Sequence, residues 1–188
     1  KLKRNFPKKS FISLLNQLKK FITKLNPKKK VTVWENYSEE NTYTDSSKKQ
    51  KSEIVKKFIS SNNIYSLADL GCNDGYFSKL ALENGSNNVV GFDFDINSIN
   101  RAFLKNKDQK NFMPLYFEAT NPSANIGWNE SERKCFSERF RFDGLIALAF
   151  LHHLVIAKNI LLEEAINWML NIAPNGLIEF VPKNDITV

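Results

Sequence analysis

Cysteine, histidine, internal repeats and long apolar runs are all scarce or missing in this 188-residue chain, and each shortage removes a class of protein. The two cysteines, Cys72 and Cys135, have no C-x-x-C spacing and follow no signal peptide. That argues against a disulfide framework or zinc module and for a reducing, cytoplasmic setting, with both residues as ordinary thiols. No apolar run approaches the roughly 20 residues that a membrane-spanning helix requires, so the expectation is a soluble protein without a membrane span. Histidine occurs only as the adjacent pair His152 and His153, with no carboxylate or thiol close in sequence to complete a metal site. What is present, 42% hydrophobic and 12% aromatic residues, suffices for one domain with a real core and excludes a fibrous or disordered chain.

The net charge of +7 is unevenly placed. Residues 1–30 hold eleven basic side chains and no acid, whereas the remaining chain has 16 basic and 20 acidic residues and sums to −4. A basic arm therefore precedes a mildly acidic domain. Within the arm, Phe11, Leu14, Leu15, Leu18, Phe21, Ile22 and Leu25 recur at helical spacing with lysines opposite, bracketed by Pro7 and Pro27. This amphipathic helix suits packing on the domain or a partner, a membrane surface or nucleic acid, or a solvated tail. Residues 31–60 form a second region. Its first part is polar and aromatic, with Trp34, Tyr37 and Tyr43, and serves either to line a cleft or to staple the segment to a sheet edge. A short amphipathic helix with Ile54, Val55, Phe58 and Ile59 on one face follows.

Residues 61–188 carry the chemistry. An apolar run (Leu67, Ala68, Leu70) meets a glycine-bearing turn, then a helix-period segment (Phe77, Leu80, Ala81), then a second apolar run closing on Asp93. This is a βαβ unit. Gly71 and Gly75 suit a sharp turn that a ligand approaches closely, with helix N–H groups aimed at it. Asp93, 22 residues after Gly71, is placed to present a carboxylate to a ribose diol. A dinucleotide fingerprint requires glycine where Asn73 and Tyr76 stand, so that reading fails. Strand and helix patterns then alternate: a helix at Ile96–Phe103, a strand over 112–120, a long connection over 121–141, a strand over 142–150, a helix over about 158–172 ended by Pro174 and Gly176, and a strand over 177–181. That alternation predicts an α/β, doubly wound sheet.

The pattern Asp69-Leu-Gly71-Cys-Asn73-Asp-Gly75 resembles motif I of class I S-adenosylmethionine (SAM) methyltransferases, with asparagine at the middle glycine. Asparagine tolerates left-handed backbone, so the departure is mild. The resemblance implies a Rossmann-like fold and SAM as cofactor. It implies that Asp69, Gly71, Asn73 and Gly75 shape the methionine end of the pocket and Asp93 holds the ribose, while Phe94, Glu118 and Ala119 border adenine. His152 and His153, just after the fourth strand, are candidate catalytic bases, although many class I methyltransferases use histidine there structurally or against SAM. Asn121-Pro122 lacks the second proline and aromatic of the amino-methyltransferase motif, which disfavours methylation of a base amine.

With the Trp34 segment, the Gly127-Trp128 loop, Ala-Leu-Ala-Phe-Leu-His-His-Leu and Ile-Glu-Phe-Val-Pro-Lys-Asn-Asp, the match over residues 31–188 resembles a bacterial branch that includes nodulation-protein-like methyltransferases. That fold adds a sixth and a seventh strand, so the chain is expected to be truncated after the fifth, with an open sheet edge. The expected acceptor is a small-molecule or glycan-type hydroxyl or amine, entering near His152, His153 and Lys183, with the Trp34 and Trp128 segments as lids. Two alternatives remain: an RNA methyltransferase using the basic arm, and a SAM-binding scaffold without catalysis.

Overall fold

The computed structural model describes residues 6–25 and 45–182. The aromatic segment around Trp34, together with Lys183 and Asp185, lies outside the described residues. The chain separates into two compact units, Lys1–Val31 and Thr32–Val188.

The described part of the first unit is one helix, α1 (Lys8–Lys24), entered through Pro7, whose φ of −62° is already helical. The second unit begins with α2 (Asp45–Asn62), far longer than the short helix expected, because its first turns are polar and carry no apolar period. Val55 and Ile59 are buried as expected; Ile54 is exposed. There follow β1 (Ser66–Leu70), α3 (Tyr76–Glu83), β2 (Asn88–Asp93), α4 (Ile96–Lys105) and β3 (Phe112–Tyr116). A 3₁₀ turn at Trp128–Glu130 and the short α5 (Phe136–Arg139) interrupt the long connection. Then come β4 (Gly144–Ala147), a π-turn at His153–Ala157, α6 (Leu162–Ile172) and β5 (Asn175–Ile178).

Several boundaries differ from expectation. The third and fourth strands are shorter, ending at Tyr116 and Ala147, because the residues beyond them leave the sheet to wall a cavity. The helix α6 begins at Leu162, since the π-turn and the stretch behind it use up the residues at 158 to 161. Gly176 belongs to β5 and does not end the helix, which closes at Ile172 with Ala173 extended as its cap.

All strands pair in parallel, in the order β3-β2-β1-β4-β5, and β5 forms one edge among the described residues. Both faces of the central strands are buried, which explains their nearly unbroken apolar sequences. The twofold alternation is visible in the core. Ala68, Leu70, Phe92, Leu145 and Ala147 point to the face covered by Phe136 of α5 and by Ala165, Met169 and Ile172 of α6. Leu67, Val89 and Ile146 point to the other, against Val55 and Ile59 of α2, Ala81 of α3 and Ala102 of α4. Helices thus cover both faces, as a doubly wound sheet requires. Among the described residues, no helix is long and apolar enough to cross a membrane.

Met169 is 1% exposed at the centre of the α6 layer. Met169→Ala should lower unfolding free energy by about 2–5 kcal/mol, read as a reduced urea midpoint with an unchanged slope.

Candidate functional site

The turn leaving β1 is stitched to the end of β2. Gly71 N–H and Cys72 N–H both donate to Phe92 O, at 2.8 and 3.1 Å, and Asn73 N–H donates to Asp93 Oδ2 at 2.9 Å. Such a reversal passes through left-handed backbone, with φ of +76° at Gly71, +48° at Asn73 and +80° at Gly75. Asparagine is one of few side chains that enter this region readily. Gly75 is the N-cap of α3, and a Cβ there would lie 2.8 Å from Phe112 Cε1. Its lack of a side chain therefore answers to protein packing as well as to φ. Asp74 closes the outer side of the turn through an ion pair with Lys105 at 2.7 Å.

Asp69 lies beneath this turn, 3% exposed and away from the cavity wall. Its Oδ2 accepts a hydrogen bond from Ser78 Oγ at 2.5 Å, tying β1 to α3. Burial pushes its carboxyl up to about 7, outweighing the opposing effect of the Ser78 bond, and the charges of Asp93 and Asp74 add to the rise.

Above the turn, over the C-terminal ends of β1 to β4, a cavity of about 310 Å³ opens. Gly71, Asn73, Asp93 and Phe94 form one part of its wall; Glu118, Ala119 and His153 form another. Asp93 is held by backbone donors that include Asn73 N–H on Oδ2 and Asp95 N–H on Oδ1, each at 2.9 Å. A carboxylate oxygen has a second lone pair, so both can still accept from a ligand. Burial raises the Asp93 carboxyl above its ordinary value, while these backbone bonds restrain the rise. Glu118 Oε1 accepts from Thr120 Oγ1 at 2.6 Å, which fixes the orientation of its carboxylate. The buried Oδ1 of Asn73 has no hydrogen-bond partner among the described residues.

The two histidines part company here. Their rings lie 3.9 Å apart, and His153 faces the cavity whereas His152 does not. Burial, then the neighbouring His152, lowers the His153 pKa to about 4. Of the residues singled out from sequence, Asp69, Gly75 and His152 thus lie off the wall. Several wall residues were not singled out: Phe117, Thr120, Leu148, Ala149, Phe150 and Lys158. Ala149 adopts φ of +49°, and Phe150 covers Gly71, where a Cβ would come within 3.1 Å of its Cδ2. Alanine in left-handed backbone leaves no mark in sequence, so this bend was not predictable from residue type. The Trp128 loop, considered as a lid, exposes Trp128 at 85%, and that residue is not on the wall.

A parallel sheet of this order, with a cavity above the strand ends, is a Rossmann-like, doubly wound fold. The chain is 46% identical over 187 residues to nodulation protein NoeA of Rhizobium meliloti (strain 1021), covering 98% of this chain and 39% of that protein. It thus spans about two-fifths of the length of this relative. Among solved structures, N-methyltransferase NodS from Bradyrhizobium japonicum WM9, in complex with S-adenosylhomocysteine, matches 66% of this chain and 56% of its own with a TM-score of 0.51 at 15% identity. The methyltransferase domain of bacterial CtHen1-C matches 70% of this chain and 64% of its own, with a TM-score of 0.52 at 16% identity. No protein-family model matches the chain.

The raised Asp69 pKa carries a stability consequence. A carboxyl that titrates at about 7 when folded and at 3.8 when free binds protons on folding, so its contribution is complete below about pH 4 and is lost as pH rises through about 7. Urea midpoints should therefore fall between about pH 4 and pH 7 and level off above that, and Asp69→Asn, which keeps an acceptor for Ser78, should flatten the decline. An equal decline in both proteins would contradict this assignment.

Proposed function

We propose that this chain is a SAM-dependent methyltransferase domain. One observation carries the reading: the Asp93 carboxylate, fixed at the tip of β2, shares a cavity wall with the Gly71 turn. A carboxylate in that place suits the two hydroxyls of a ribose. The fit to the cofactor rests on further features of the wall. The buried, unpartnered Asn73 Oδ1 is an acceptor suited to an amino donor at the methionine end. Asp93 and Glu118, against the wall cation Lys158, leave the wall net negative, which favours an ammonium and sulfonium ligand.

In this reading Gly71 and Asn73 hold the methionine end, Asp93 the ribose, and Phe94, Glu118 and Ala119 the adenine. Asp69 and Gly75 act from behind, by keeping the turn in shape. Bound SAM supplies an electrophilic methyl group, and the protein supplies alignment, for which good orientation is worth about 7–11 kcal/mol. His153 is the base that takes the acceptor's proton. A pKa near 4 keeps its imidazole neutral, and so able to accept, throughout the ordinary pH range. His152 positions that ring by packing on it. The acceptor is a small-molecule or glycan-type hydroxyl or amine, since residues 31–188 sum to −4 and offer no general attraction to phosphates.

Calorimetric titration of the chain with S-adenosylhomocysteine should show binding, while NAD should give none. Asp93→Ala, which loses two hydrogen bonds to a charged acceptor, should weaken binding at least about tenfold. Binding of NAD, or an Asp93→Ala protein with unaltered affinity, would overturn the reading. With an acceptor in hand, His153→Ala should cut turnover by about 10²–10⁴ while leaving S-adenosylhomocysteine affinity unchanged, and the wild-type rate should show no acid limb above about pH 5.

A further inference from the structure

The domain's function leaves α1 unused, yet this helix sets five lysines and no acid against a continuous apolar face. Its unit contains no other described element, so nothing within that unit covers its apolar face. With side chains advancing by about 100° per residue, Phe11, Leu14, Leu15, Leu18, Phe21, Ile22 and Leu25 fall within an arc of about 120° that contains no polar residue. Lys8 and Lys19 border one edge of the arc, and Lys9, Lys20 and Lys24 stand opposite it. The helix contains no acidic residue.

We propose that α1 is an interfacial helix that binds the headgroup layer of an anionic lipid surface, its Phe11–Leu25 face toward the acyl chains and its lysines among the headgroups. Three features of the helix favour this occupant. Five lysines without an acid complement negative headgroups. A broad apolar arc with two phenylalanines on a helix of low overall hydropathy is the pattern that lies in an interface and does not span it. Lysines at the arc's edge can lay their methylene stems along the apolar face and keep their ammonium groups in the polar layer. A helix tracking the phosphates of RNA would use the lysines but leave the phenylalanine and leucine arc in water. The −4 remainder of the chain supplies no competing electrostatic attraction, so lipid binding should reside in the arm.

The test is sedimentation of the whole chain with vesicles of phosphatidylcholine alone and of phosphatidylcholine mixed with phosphatidylglycerol. Binding is expected to the mixed vesicles, falling as salt is raised. The double variant Leu18→Asp/Phe21→Asp should abolish it, and Lys9→Glu/Lys20→Glu/Lys24→Glu should reduce it at least about tenfold. The thermal melt of the second unit serves as a folding control for both variants. Failure of the wild-type chain to sediment with mixed vesicles would overturn the proposal. So would equal binding to both vesicle types, or a Leu18→Asp/Phe21→Asp protein that binds as well as wild type. Retardation of a single-stranded RNA probe without vesicle binding would assign the lysines to nucleic acid instead. The readout involves no cofactor, so its outcome is independent of the methyltransferase reading.

Discussion

Three backbone N–H groups of one turn, donating to Phe92 O and Asp93 Oδ2, hold the rest of the site together. They fix the spacing between the first two strand tips and aim the Asp93 carboxylate upward. They also require the left-handed backbone that restricts positions 71, 73 and 75 to glycine and asparagine. Packing below the turn reinforces the same geometry. Gly91 leaves room for the Cys72 thiol, since a Cβ there would lie 2.8 Å from Sγ, and that buried thiol is pushed well above its ordinary pKa. Cys72 therefore acts as a small apolar filler between turn and sheet, unreactive because its thiolate is disfavoured.

Electrostatics give the turn its second property. Asp69 and Asp93 both titrate above the ordinary carboxylate range, chiefly through burial, and each of Asp69's acidic neighbours raises it further. One buried and one half-buried acid around one turn cost stability, which the protein limits by protonating Asp69 and by giving Asp93 backbone donors. The division leaves Asp93 as the group able to meet a ligand.

Much of this was legible in the sequence because it depends on short-range rules. The apolar residues Leu67, Ala68 and Leu70 and the apolar run within 142–150 marked strands, and Asn73 with its glycine neighbours marked left-handed backbone. What escaped depends on tertiary context. Nothing in Leu148-Ala149-Phe150 announces that the chain leaves the sheet in left-handed backbone to fold Phe150 over Gly71, and the π-turn that turns His153 toward the cavity and His152 away has no compositional signature. Gly75 was identified but for an incomplete reason, because the ring of Phe112 is remote in sequence. The polar start of α2 went unread because a helix without an apolar stripe gives no period to detect.

We propose that the stitched turn and the Asp93 tip together form the seat of a SAM-type ligand. Amide hydrogen exchange of the chain with and without saturating S-adenosylhomocysteine tests it most directly. Slowed exchange is expected at residues 71–75, 93–95 and 117–120, with no change in α1. Saturable binding that leaves those amides unprotected and slows exchange elsewhere would contradict it.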